Sequence, residues 1–233
     1  MIKNTAIILA GGNGSRMNSD IPKQYMDIYG RPVLFYSIYE MEKCDFITDI
    51  ILVTRQEDIE YCQKEIVDKY GFTKVSKITA GGTERFFSVY NGLKCVSESS
   101  YVWIHDGARP CINIDMLCRL RDSVAEYDAV VAAVPSKDTV KLAGDNQMVE
   151  STPDRGKVWN VQTPQVFNTK MLLDAYDKMF HSPKSVNITD DAMVMEQYGS
   201  IPVRLEMGDY TNIKITTPED ISAVKNYLKK FEK

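Results

Sequence analysis

Short apolar, β-branched runs alternate along this chain with longer amphipathic stretches, and that rhythm constrains the fold more than any other feature. Runs at residues 6–10, 49–54, 75–79, 102–105 and 129–134 read as strands. Between them, residues 33–44, 57–70, 85–96 and 115–127 carry helical spacing. Strands separated by helices pair in parallel, and the crossover helices cover the sheet. The expectation is an α/β fold with a doubly wound, mostly parallel sheet.

The rhythm breaks at residues 136–160, a polar stretch with strand-like fragments holding Asp138, Thr139, Lys141, Asp154 and Arg155. It is too poor in apolar residues to be core and reads as a β-arm leaving the sheet. Helical patterning resumes at 169–180 and 192–198, a strand follows near 201–206, and a last helix opens at Thr217-Pro218. Thr217 suits an N-cap and Pro218 the first helical turn. No repeat or linker divides the 233 residues. A chain of this length buries roughly 70% of its unfolded surface, so one domain over residues 1–233 is expected.

Composition narrows the chemistry. The formal charge of −4 argues against a protein built to coat nucleic acid or an anionic membrane, though a local basic pocket can still serve a small anion. No stretch approaches the ~20 apolar residues that span a bilayer, and the run at 6–10 enters a glycine turn, not a signal-cleavage site. Cytoplasm is the expected location. Five cysteines without a C-x-x-C pair read as reduced core residues. With His105 and His181 the only histidines, zinc chemistry and a Ser-His-Asp triad have few residues to draw on.

The strongest motif is Leu9-Ala10-Gly11-Gly12-Asn13-Gly14-Ser15-Arg16-Met17. A glycine-rich turn at the carboxyl end of a strand brings backbone N–H groups close to phosphate oxygens. Met17 stands where a dinucleotide fingerprint needs its third glycine, and the G-K-[ST] of a P-loop is absent. Arg16 and, in Pro22-Lys23-Gln24, Lys23 supply two cations for one anion. A second turn, Gly81-Gly82-Thr83-Glu84-Arg85, precedes a helix carrying Ser88. It is either a plain strand-to-helix connection or, because carboxyl-end loops share a crevice, the seat of a base or ribose. The fourth strand ends in His105-Asp106-Gly107-Ala108-Arg109-Pro110. Asp106 there either holds Mg²⁺ beside phosphates or caps a turn with Arg109 as its partner; His105 reads as structural. Asp190-Asp191 reads as a helix N-terminus.

These blocks, in order along nearly the whole chain, resemble the 2-C-methyl-D-erythritol 4-phosphate cytidylyltransferases and the related ribitol 5-phosphate cytidylyltransferases. The blocks are Ala10-Gly-Gly-x-Gly-x-Arg16, Pro22-Lys23-Gln24, Gly81-Gly82 with Arg85 and Ser88, His105-Asp106-x-Ala-Arg109-Pro110, Asp138-Thr139-x-Lys141, Asp154-Arg155, Trp159 with Gln162-Thr-Pro-Gln165, Thr189-Asp190-Asp191 and Asn212-Ile213-Lys214. The resemblance implies a Rossmann-like nucleotidyltransferase fold. Leu9, Ala10, Gly11, Gly12 and Gly14 would wrap the triphosphate of CTP, while Gly81, Gly82, Arg85 and Ser88 would read cytosine and ribose. Arg16 and Lys23 would stabilise charge at the α-phosphorus, and Asp106 would hold Mg²⁺ or the polyol. Arg155 and Lys214 would grip the phosphate of a polyol phosphate, oriented by Arg109, Thr139 and Thr163. A homodimer with arm 136–160 crossing between subunits is implied too. Ala10-Gly11-Gly12 looks more like the ribitol branch, whereas the Asp106–Arg109, Asp138–Lys141 and Trp159–Gln165 blocks look more like the methylerythritol branch. Methylerythritol phosphate is therefore the expected acceptor and ribitol phosphate the alternative. A nucleotide sensor without turnover would keep the pocket but has no need of Arg16, Lys23, Asp106, Arg155 and Lys214 together. A nicotinamide dehydrogenase would need the missing fingerprint.

Overall fold

The structure is a computed structural model of the chain and describes residues 2–12, 14, 17, 21–183, 187–199 and 201–232. Its strands are β1 (Asn4–Leu9), β2 (Asp27–Ile28), β3 (Arg31–Pro32), β4 (Asp49–Thr54), β5 (Val75–Ala80), β6 (Tyr101–Asp106), β7 (Ala129–Pro135), β8 (Leu142–Ala143), β9 (Val149–Ser151), β10 (Trp159–Asn168) and β11 (Arg204–Met207). The helices are α1 (Val33–Glu42), α2 (Ile59–Tyr61), α3 (Arg85–Leu93), α4 (Ile114–Tyr127), α5 (Thr169–His181), α6 (Asp191–Tyr198) and α7 (Pro218–Tyr227). The helical stretch expected at 57–70 is broken into a 3₁₀ turn, α2 and a π-helical run, Cys62–Asp68.

Seven strands form one sheet in the order β11-β7-β10-β6-β1-β4-β5. β1 pairs in parallel with β4 and β6, β4 with β5, and β7 with β11. Only β10 runs antiparallel, between β6 and β7. Side-chain alternation along each strand feeds two cores. Ala6, Ile8, Ile50, Leu52, Trp103, Val130 and Ala132 face α1, α4 and α7. Ile7, Ile51, Val53, Val102, Ile104, Ala129 and Val131 face α3, α5 and α6. Burial on both faces explains why these strands read as continuous apolar runs.

Sequence pattern did not reveal β10. Gln162, Thr163 and Gln165 interrupt its apolar run, yet all three are buried. Each is satisfied: Gln162 Nε2 donates to Asp209 O at 2.8 Å, Thr163 Oγ1 accepts from Asp106 N at 3.0 Å, and Gln165 Oε1 accepts from Asp191 N at 3.1 Å. A buried polar group that finds its partners no longer opposes burial. The polar stretch before β10 does leave the sheet: β8 and β9 pair only with each other, and their side chains are exposed.

Candidate active site

In a parallel sheet the strands point their carboxyl ends to one rim, where loops can converge. The ends of β1, β4, β5 and β6 do so here, around a cleft of about 540 Å³. Ala10 N donates to Val53 O at 2.7 Å, and the buried Gln24 carboxamide donates to Ala10 O at 2.7 Å. The Pro22-Lys23-Gln24 block thus pins the start of the glycine turn as well as supplying a cation. Gly14 has φ +60°, a conformation that favours glycine. Lys23 Nζ donates to Ile215 O at 2.9 Å, joining this turn to the segment that carries Lys214. Arg16 lies outside the described residues.

The second glycine turn is tied to its neighbours just as closely. Gly81 N donates to Thr54 O at 2.7 Å, and Gly82 N donates to Ser88 Oγ at 3.1 Å. Ser88 Oγ in turn donates to Glu84 O at 3.3 Å, so the serine secures the turn to the first turn of α3. A Cβ on Gly82 would overlap the Phe87 Cβ, so only glycine lets the loop fold back here.

At the end of β6, the nearly buried Asp106 gathers three cations. Lys214 Nζ is 2.8 Å from Oδ2, Arg85 Nε 3.3 Å from Oδ1 and Arg109 Nε 3.8 Å from Oδ2. Burial alone would raise its pKa, but these charges hold the carboxyl well below the usual carboxylate range. Arg109 does partner Asp106 at a turn: its N–H donates to Asp106 O at 2.9 Å, and its Nη1 donates to Asn212 O at 2.8 Å. His105 is fully buried. Thr163 Oγ1 and His105 Nδ1 lie 3.0 Å apart, and Nε2 lies 3.1 Å from Arg109 O. A neutral ring with its proton on Nε2 satisfies both contacts, and burial lowers its pKa to about 4. The Thr163 hydroxyl therefore already has two partners, one holding His105 and the other the Asp106 amide.

Leu9, Ala10, Gly11, Gly12, Lys23, Gly81, Gly82, Arg85, Ser88, Asp106 and Lys214 all line the cleft. Beside it lies a smaller cavity of about 250 Å³, to which Arg85, Asp106 and Lys214 also contribute, together with Arg109, Thr163, Thr189 and Asp190. Those three residues form the wall between the two spaces. Sequence reading missed Asp191. It is completely buried behind that wall, with Arg85 Nη1 2.8 Å from its Oδ2 and the Tyr176 hydroxyl donating to its Oδ1 at 2.6 Å. Its neighbour Asp190 does cap α6, accepting from Met193 N at 2.9 Å. Thr139 and Arg155 are exposed and line neither cavity. Among the described residues, no group of three or more His, Cys, Asp or Glu side chains could hold a metal ion.

A doubly wound sheet that presents two glycine turns and a carboxylate ringed by cations at one rim defines a nucleotide-binding α/β protein of the nucleotidyltransferase type. The chain matches the family model for IspD, 2-C-methyl-D-erythritol 4-phosphate cytidylyltransferase, over residues 4–230. It is 48% identical to the 2-C-methyl-D-erythritol 4-phosphate cytidylyltransferase of Lachnospira eligens over 97% of this chain and 99% of that one. The protein of that name from Alkaliphilus oremlandii is 46% identical, over 97% and 95%. A crystal structure of 4-diphosphocytidyl-2C-methyl-D-erythritol synthase from Anaerococcus prevotii superposes with a TM-score of 0.85 at 35% identity, covering 98% of this chain and 99% of that one. The Francisella tularensis 2-C-methyl-D-erythritol 4-phosphate cytidylyltransferase gives 0.81 at 29% identity, over 97% and 99%. The chain belongs to the 2-C-methyl-D-erythritol 4-phosphate cytidylyltransferase family.

Proposed function

We propose that this protein transfers CMP from CTP to 2-C-methyl-D-erythritol 4-phosphate, releasing pyrophosphate, in isoprenoid precursor synthesis. The observation that carries the reading is the shared wall of Arg85, Asp106 and Lys214 between a nucleotide-sized cleft and a smaller cavity. It lets one anion bind on each side of the same cations. An oxygen of the acceptor phosphate forms a bond to the α-phosphorus of CTP as the bond from that phosphorus to the bridging oxygen breaks, and pyrophosphate leaves. The attacking group is already an anion, so positioning and charge compensation supply the catalysis. His105 has no general-base role, because both ring nitrogens are occupied and the ring is buried.

The N–H groups of Gly11, Gly12 and Gly14 would cradle the triphosphate, with Leu9 and Ala10 fixing the start of the turn beside it and Arg16 and Lys23 offsetting charge at the α-phosphorus. The second glycine turn with Ser88 would seat cytidine. Lys214 and Arg109 would face the acceptor, and Asp106 would hold its hydroxyls. Mg²⁺ prefers oxygen ligands and commonly shares one or two carboxylates with substrate phosphates. Asp106 suits that role only as a shared ligand, since among the described residues no group of three or more His, Cys, Asp or Glu side chains forms a cage; the ion would neutralise phosphate charge.

The acceptor cavity also argues for a second subunit. Arg85, Arg109 and Lys214 line it against Asp106 and Asp190, and Asp191 stands directly behind Arg85. Three cations against three carboxylates leave the cavity near neutral, short of the charge that a phosphate dianion calls for. Arg155 and Thr139 lie on the arm, beside a hairpin that exposes Leu142, Met148 and Val149. A homodimer in which arm 136–160 reaches the partner's cavity would supply the missing charge and cover those apolar side chains. Among the described residues no helix is long and apolar enough to cross a membrane, which fits a cytoplasmic enzyme of small-molecule substrates. Ribitol 5-phosphate is disfavoured as acceptor, since the family match and the quoted relatives all carry the methylerythritol name. Pyrophosphate release measured with CTP, Mg²⁺ and each polyol phosphate in turn tests the reading. Turnover with methylerythritol phosphate is expected, and silence with it refutes the assignment.

A further inference from the structure

We propose that Asp191 and Tyr176 are positioning residues for the reaction, acting through Arg85 to fix Asp106 in the wall between the two substrate spaces. The inference rests on the proposed cytidylyltransferase reading and adds two residues that touch neither cavity. Arg85 is shared between two carboxylates, with Nη1 2.8 Å from Asp191 Oδ2 and Nε 3.3 Å from Asp106 Oδ1. Asp191 is itself pinned twice more. Its Oδ1 accepts the Tyr176 hydroxyl at 2.6 Å, and its backbone N–H donates to Gln165 Oε1 at 3.1 Å. Helices α5 and α6 and strand β10 thereby hold one guanidinium from behind.

Packing does not require this arrangement. Asp191 and Tyr176 are both 0% exposed, and a buried ion pair is weak evidence for stability, since apolar residues of similar size commonly serve as well. A carboxylate at this position has a directional effect instead. Without it, Arg85 would be free to turn wholly onto Asp106 or onto an incoming phosphate, and the wall would lose its fixed geometry. With it, Asp106 keeps Oδ1 toward Arg85 and Oδ2 toward Lys214, two cations that face both spaces. Catalysis by preorganised charge is sensitive to shifts of this kind.

Tyr176→Phe and Asp191→Asn test the proposal, each assayed well below its own melting temperature. Expected are losses in kcat of about 3–10-fold and about 10–100-fold, with KM for CTP within about threefold of the parent. If Asp191→Asn fails to fold, Tyr176→Phe, which removes one hydroxyl, carries the test. Unchanged kcat in the folded variants overturns the proposal, as does a loss that merely follows the unfolded fraction. A second readout does not depend on the assigned substrate: the Arg85 Nη1–H resonance, assigned with Arg85→Lys, faces Asp191 and should be protected from exchange in the parent and less protected in both variants. Were the parent inactive with methylerythritol phosphate but this resonance behaved as expected, the substrate reading alone would fail. Equal protection in parent and variants would refute the relay itself.

Discussion

Replacing His105 by glutamine should remove most of the acid sensitivity that this residue gives the fold. The folded-state pKa of His105 is lowered to about 4 by complete burial, against an ordinary value of 6.5. Because the folded value lies below the unfolded one, the unfolded chain takes up the proton first. Stability is therefore intact above about pH 6.5, declines as pH falls, and stops declining through this group below about pH 4. With those two values the unfolded state gains little from this group at pH 7 and about 2–3 kcal/mol at pH 4.5. That difference is a large share of the stability of an ordinary domain. Asp106, held far below the carboxylate range, adds its own loss only below about pH 4, so it barely contributes in this window. Glutamine can still accept from Thr163 and donate to Arg109 O while carrying no titratable proton. Urea unfolding of the parent and His105→Gln at both pH values isolates the effect, because every other carboxylate is common to the two proteins. The parent should lose about 2–3 kcal/mol more than the variant between pH 7 and 4.5. Equal losses would refute the assignment of a buried, neutral ring.

Further expectations concern the rim and the arm. Lys214→Met should lower kcat/KM for the polyol phosphate about 100-fold or more by removing the cation 2.8 Å from Asp106, with steady-state kinetics as the check. Gly82→Ala, whose Cβ would overlap Phe87, should cost about 1–3 kcal/mol by thermal or urea unfolding and weaken CTP binding measured by calorimetry. Arg155→Ala should raise KM for the polyol phosphate about tenfold while leaving KM for CTP near the parent value. If arms cross between subunits, mixing the Arg155→Ala and Lys214→Met proteins under subunit exchange should restore roughly a quarter of parental activity, because half the dimers are mixed and each holds one intact site. No restoration would place Arg155 and Lys214 in the same subunit's site.

Much of this rim could be read from the sequence because its residues sit at strand ends, where an apolar run stops at glycine or a charge. The first glycine turn, the Gly81-Gly82 turn and Asp106 are all of this kind, and all three line one cleft. What stayed hidden depended on partners distant along the chain. Gln24 looked like part of a basic block, but its carboxamide holds Ala10 O. Strand β10 was disguised by Gln162, Thr163 and Gln165, whose burial is tolerated because residues from β6, α6 and the 209–212 segment satisfy them. Asp191 looked like an ordinary acidic residue at a helix N-terminus. Nothing local indicates that Arg85, 106 positions earlier, meets it in the interior. The five cysteines are free, but only Cys44, Cys62 and Cys111 are buried in the core; Cys95 and Cys118 are half-buried.

If one wall of Arg85, Asp106 and Lys214 serves two anions at once, a crystal structure of the protein with CTP, Mg²⁺ and the acceptor polyol phosphate bound will show it. Triphosphate density is expected along the turn that begins at Leu9, with cytosine against Gly81 and Gly82 and the acceptor in the smaller cavity, both phosphates reaching the Lys214 side of the wall. Density for CTP away from the opening glycine turn, or an acceptor bound out of reach of Lys214, would contradict it.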